Sequence, residues 1–126
     1  MPTKLKNGET ILFIGDSITD CGRRTSDRPL GCGYVKIFSD LVAIRDPQKR
    51  ITIINKGISG DSVVGLQSRW TDDVLRNKPD WLSVKIGIND LHRVLRNTDP
   101  IPPGMFEAAY DDILERTRRH LPACKI

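Results

Sequence analysis

Histidine and cysteine are both scarce in this sequence. Only His92 and His120 offer an imidazole, and Cys21, Cys32 and Cys124 are an odd set without CxxC spacing. That argues against a disulfide framework and against a zinc site, so the cysteines read as small reduced side chains and no cofactor is expected. Aromatics make up only 6% of the chain and do not interleave with the basic residues, as a surface that stacks single-stranded bases requires. Charge of one sign is also lacking: 20 basic against 16 acidic side chains leaves +4, and the small basic concentrations at Lys49-Arg50 and Arg116-Arg118-Arg119 read as solvated faces. No nucleic-acid partner is expected. No run approaches the roughly 18 apolar residues of a membrane span, and Ile11-Leu12-Phe13-Ile14 is too short for the core of a secretory leader. The expectation is a cytoplasmic protein without a membrane partner. What is present, 38% apolar and 29% charged residues in 126, describes one globular domain, 1–126.

The order of apolar runs sets the fold class. Thr10 to Gly15 is a short, nearly continuous apolar run that reads as a strand buried on both faces. Asp16 to Gly33 reads mainly as loop, after which Tyr34, Ile37, Phe38, Leu41 and Val42 fall at helical spacing on one face, ended by Asp46-Pro47. A second buried strand is predicted at Ile51–Ile54, stopping at Asn55-Lys56-Gly57-Ile58-Ser59-Gly60. A second helix is marked by Val63, Leu66, Trp70 and Val74, and a third strand covers Trp81–Ile86, running into Gly87-Ile88-Asn89-Asp90. A Pro-rich connection leads to a third helix carrying Phe106, Tyr110, Ile113, Leu114 and Thr117, and Ala123–Ile126 reads as the first step of a fourth strand. Strands alternating with helices imply right-handed crossovers and an α/β three-layer fold: an open parallel sheet with helices on both faces.

In such sheets ligands bind at the carboxyl ends of the strands. Each predicted strand ends there in a Gly-containing polar cluster, which would bring Ser17, Gly60 and Asn89 to one rim. A serine hydroxyl is a weak nucleophile until a base takes its proton. The N–H of a residue without Cβ can approach a reacting atom closely, and an asparagine amide can donate to the same spot. Together these are parts for acyl transfer, the donors stabilising an oxyanion. Each also has a plain structural reading: Ser17 as a helix N-cap, Gly57 and Gly60 as turn glycines, Asn89-Asp90 as a cap.

The blocks Ile14-Gly15-Asp16-Ser17-Ile18-Thr19-Asp20, Asn55-Lys56-Gly57-Ile58-Ser59-Gly60 and Gly87-Ile88-Asn89-Asp90 resemble those of the GDSL esterases, or SGNH hydrolases. The surrounding Asp20-Cys21-Gly22-Arg23, Arg69-Trp70 and Pro79-Asp80-Trp81 resemble the branch of acetylxylan-type carbohydrate esterases. The resemblance implies a flavodoxin-like SGNH-hydrolase fold and a serine esterase acting on carboxylic esters of short acyl groups, acetyl groups on carbohydrate among them. It implies Ser17 as nucleophile, and the Ser17 N–H, Gly60 and Asn89 as the oxyanion hole. The partner would be a small-molecule ester.

The family's fourth block, an Asp-x-x-His near the C-terminus that supplies the general base, has no counterpart here. The expectation is therefore the N-terminal portion of such a domain, truncated after about three strands and showing little activity. His92 is the one imidazole on the predicted rim; His120 should lie at the opposite edge, more than one helix length (roughly 20 Å) away. Asp16 and Asp90 are supporting candidates. Two rival readings stand beside the esterase: a catalytically inactive acyl- or sugar-binding module of the same fold, and a Mg-dependent phosphatase-like enzyme using Asp16.

Overall fold

The computed structural model describes residues 3–126. Strands β1 (Thr10–Gly15), β2 (Thr52–Gly57) and β3 (Trp81–Lys85) form a parallel sheet in the order β2-β1-β3. The helices are α1 (Ser17–Asp20), α2 (Tyr34–Arg45), α3 (Val63–Asp73), α4 (Ile88–Arg96) and α5 (Pro103–His120), with a 3-10 turn at Leu75–Asn77. A further parallel bridge joins Trp81 to Lys125, fixed by Leu82 N donating to Lys125 O (2.8 Å) and Lys125 N to Asp80 O (3.0 Å). The chain thus begins a fourth position beside β3, where Ala123–Ile126 was expected to start one.

Alternation along β1 divides the core in two. Leu12 and Ile14 face α3 and α5, packing with Leu82, Leu66, Trp70, Val74 and Ile113. Ile11 and Phe13 face α2, where Phe13 meets Tyr34 and Phe38 edge-on at 5.7 and 5.3 Å between ring centroids. The central strand is buried on both sides because a helix layer lies over each. Trp70, wholly buried, donates its indole N–H to Thr117 Oγ1 (2.9 Å), which ties α3 to α5. Val63, Leu66, Trp70 and Val74 are all buried, as the spacing predicted. No described helix is long and apolar enough to cross a membrane.

The structure corrects four expectations. β2 begins one residue later than predicted and runs on to Gly57; it is also an edge strand, half-covered along most of its length, not a strand buried on both faces. The segment after Asp16 opens with the helical turn α1 before the loop. The stretch from Ile88 to Arg96, for which the sequence predicts no helix, is helix α4, ended by Asn97 in the left-handed region (φ 50°). Finally, α2 turns Val35 and Val42 inward while Ile37 and Leu41 stay 58% and 51% exposed. Its apolar residues surround most of the helix, so periodicity alone could not choose the face that meets Phe13.

Candidate active site

Parallel pairing sets Gly15 opposite Gly57 and opposite Lys85, so the three strand tips lie side by side on one rim. Both glycines are demanded by close approach. A Cβ on Gly15 would lie 2.2 Å from Lys85 O, and one on Gly57 would lie 2.2 Å from Asp20 N and 2.6 Å from the Thr19 carbonyl carbon. The backbone of α1 is therefore pressed directly onto the end of β2. Asn55 fastens it there, donating from Nδ2 to Thr19 O (2.6 Å) and Leu30 O (2.8 Å) and accepting from Gly57 N (2.8 Å).

At the tip of β1, Asp16 is the N-cap of α1. Its carboxylate is 1% exposed and accepts from Ile18 N (2.9 Å). With capping done by Asp16, Ser17 occupies the first helical position, exposed, and its hydroxyl makes no hydrogen bond to the described residues. The backbone N–H of Ser17, one of the unpaired amides that open a helix, also has no acceptor among them.

The loop after β2 is stapled from several sides. Ile58 N donates to Gly15 O (3.0 Å), and Ser59 N donates to Asp20 Oδ2 (2.9 Å). Burial pushes the Asp20 carboxyl up, but the Ser59 amide and then Arg24 outweigh it and hold the group below the ordinary value for aspartate. The Arg69 guanidinium donates to Asp61 Oδ2 (2.8 Å from Nε), Lys56 O (2.7 Å), Asp73 Oδ2 (2.7 Å) and Gly15 O (3.3 Å). One planar cation thus joins the ends of β1 and β2 to the loop between β2 and α3. Arg23 adds a hydrogen bond from Nε to Gly57 O (2.6 Å). Gly60, at φ +81°, takes a backbone conformation that side chains rarely adopt, and its N–H donates to none of the described residues.

From the first turn of α4, just past the tip of β3, Asn89 donates Nδ2 to Asp61 O (2.9 Å), which places its carboxamide against the residue following Gly60 and leaves the second amide hydrogen unused. Asp90, 7% exposed, accepts from Val63 N (3.1 Å) and so anchors the start of α3. The rim therefore carries one unengaged hydroxyl and a set of unengaged amide donors on backbone held by Asp16, Asp20, Asn55, Arg69 and Asp90. Such an arrangement suits attack on a carbonyl and stabilisation of the resulting oxyanion, since the donors need no reorganisation.

The remaining candidates are placed elsewhere or employed otherwise. His92 is exposed on α4 and forms no hydrogen bond with the described residues. His120 ends α5 and lines a cavity with Thr71, Leu75, Lys78 and Leu121, at the amino edge of the sheet. Asp16 is turned inward as a cap, so Ser17 and not Asp16 meets solvent, which removes the geometry that a phosphatase-like aspartate requires. Among the described residues no group of three or more His, Cys, Asp or Glu gathers as a metal site. Sequence reasoning did not assign roles to Asn55, Asp20 and Arg69. Asn55 stood only as the first residue of the polar cluster after the second apolar run, with nothing local to mark it as a fastener.

A family model described as the GDSL-like Lipase/Acylhydrolase family matches residues 13–126. An acetylxylan esterase of Geobacillus stearothermophilus is 48% identical over 95 residues, which are 71% of this chain and 43% of that protein. A crystal structure of an acetylxylan esterase from the same organism shares 39% identity at TM-score 0.85, covering 94% of this chain and 58% of that one. Its catalytic mutants, also solved, replace a serine, an aspartate and a histidine by alanine. An alpha/beta hydrolase enzyme from the metagenome of Lake Arreo, Spain, shares 32% identity at TM-score 0.84, covering 93% of this chain and 58% of that one. The chain spans about half the length of the relatives it matches.

Proposed function

The chain belongs to the GDSL-like lipase/acylhydrolase family, and on that footing we propose that it carries the nucleophile and oxyanion-binding parts of a serine esterase for short acyl esters, acetylated carbohydrate being the substrate class. Ser17 Oγ attacks the ester carbonyl. The oxyanion formed accepts hydrogen bonds from the Ser17 N–H, the Gly60 N–H and Asn89 Nδ2, and loss of one such donor raises the barrier by roughly 3 kcal/mol. The observation that supports this most is the division of labour at the tip of β1: Asp16 caps α1, and Ser17 stands exposed beside unengaged amides. The acetyl and carbohydrate preference rests on the acetylxylan esterases to which the chain is similar.

The proton on Ser17 Oγ needs a base within about 3 Å. The Asp-x-x-His pair of the family has no counterpart in these 126 residues, and His120 sits at the far edge. The chain by itself therefore hydrolyses esters feebly, and imidazole added to the solution supplies the missing base. The test is p-nitrophenyl acetate hydrolysis by the 126-residue chain over an imidazole series, with the protein-free imidazole rate subtracted. A residual rate that rises with imidazole and disappears in Ser17→Ala is expected. A residual rate unchanged in Ser17→Ala overturns Ser17 as nucleophile. Saturable binding of acetylated xylo-oligosaccharide with no residual rate at any imidazole concentration supports the inactive binding module instead.

A further inference from the structure

Cys21 and Cys32 are eleven positions apart, yet their sulfurs lie 3.5 Å from each other. Cys21 follows α1 in the left-handed region (φ 41°, ψ 45°) and its carbonyl accepts from Cys32 N (2.9 Å), so the backbones of the two residues run alongside one another. The glycines on either side of Cys32 permit this approach. A Cβ on Gly31 would lie 2.8 Å from Cys21 O, and one on Gly33 would lie 3.0 Å from both Cys21 Cβ and Cys21 Sγ. Cys32 is exposed and Cys21 is half-buried; Cys124, the third thiol, is near the chain's end and bonded to neither. None of this is used by the esterase reading.

We propose that Cys21 and Cys32 form a reversible modification site, a dithiol that a low-molecular-weight disulfide such as glutathione disulfide oxidises to an intrachain bridge closing the Gly22–Gly31 loop. The exposed Cys32 thiolate attacks one sulfur of glutathione disulfide, forming a mixed disulfide and expelling one glutathione thiolate. The Cys21 thiolate then attacks Cys32 Sγ and expels the second. Two protein thiols and one small disulfide thus become one protein disulfide and two glutathione thiols, with the electrons and protons balanced. The hydrogen bond with Cys21 pushes the Cys32 thiol up, which makes the first step slow at neutral pH and faster as pH rises. Because Cys21 N donates to Ser17 O (3.0 Å), the bridge fixes the loop directly behind α1.

The test equilibrates the folded 126-residue chain with a glutathione redox buffer and reads thiol count, mass and peptide linkage. The expected product has one remaining free thiol of the three, a mass lower by two hydrogens, no retained glutathione, and Cys21 joined to Cys32. Cys21→Ser and Cys32→Ser each stop at a persistent mixed disulfide on the remaining partner. Trypsin cleavage after Arg23 and Arg24, both inside the loop, is expected to slow at least about fivefold on oxidation and recover on reduction. Three free thiols after equilibration, separate glutathione adducts on both cysteines, a bridge to Cys124, or unchanged trypsin cleavage would each overturn the proposal.

Discussion

Replacing Arg69 by alanine tests whether one guanidinium holds the rim together. The side chain is 15% exposed and its partners Asp61 and Asp73 are 11% and 20% exposed, so the ion pairs are largely screened from water by protein. Several groups keep a second partner after the change. Asp61 Oδ1 still accepts from Ser62 N (2.9 Å), Gly15 O from Ile58 N (3.0 Å), and Asp73 stays 3.4 Å from Lys56 Nζ. The uncompensated loss is the cation beside Asp61, because the β1–β2 register leaves Lys56 O its place in the ladder. Hydrogen bonds to charged groups contribute about 1.5–3 kcal/mol each, and stripping one partner from a well-buried pair costs about 3–5. Residual exposure and the surviving partners bring the expected loss to about 3 kcal/mol. Because a domain of this size has about 5–15 kcal/mol in all, the variant still folds. Arg69→Lys, a point charge that cannot span both carboxylates, should recover about half. Guanidinium unfolding at 25 °C is the assay, and a loss below 1 kcal/mol in Arg69→Ala would show that the guanidinium does not join the strand tips.

Gly57→Ala should lose about 2–3 kcal/mol because its Cβ meets only backbone of α1, whereas Gly104→Ala, with open space at the start of α5, should be neutral to slightly stabilising; equal denaturation midpoints for the two would contradict the packing of α1 on β2. Thr117→Val leaves the buried Trp70 indole N–H without an acceptor and should cost about 1–3 kcal/mol, while Thr117→Ser should cost clearly less, as read by thermal melts. Asp20 titrates below its ordinary value of 3.8 in the folded chain, so its charge contributes stability that is present above about pH 4 and lost as pH falls through the lowered value. Asp20→Asn keeps an acceptor for Ser59 N but no charge; its stability deficit, followed by urea midpoints from pH 7 to pH 2.5, should shrink at the acid end, and a deficit constant over that range would refute the assignment.

The elements most visible in the sequence were those whose environment is set by the sheet. β1 is a continuous apolar run because both of its faces are covered, and the stripe from Val63 to Val74 is apolar on one side only because α3 has one neighbour layer. The rest depended on contacts between segments distant in sequence. α2 offered Ile37 and Leu41 as readily as Val35, and only the placement of Phe13 decides between them. α4 was masked by the prolines that follow it, and its Leu91, Val94 and Leu95 are exposed, so no buried stripe marked it. Arg69 and the Cys21–Cys32 pair carry no local pattern at all; their significance arises from carbonyls and thiols that the fold brings to them.

Ser17, Gly60 and Asn89 stood at the strand ends in the sequence, but whether they were site residues or ordinary caps turned on their neighbours. Ser17 could have been the N-cap of α1; Asp16 takes that task. Asn89-Asp90 could have capped the segment that follows; instead they lie in the first turn of α4, where Asn89 reaches back to Asp61 O and Asp90 to Val63 N, both on the adjoining crossover. In each case the residue next to the candidate does the structural work and the candidate keeps a free donor or hydroxyl. Those attachments involve only the tip of β1, the first turns of α1 and α4, the loop after β2 and the start of α3, with no contribution from an imidazole. On the proposed reading the oxyanion donors are organised independently of the base, and supplying or withholding a base should change the rate at Ser17 without altering the fold of the rim.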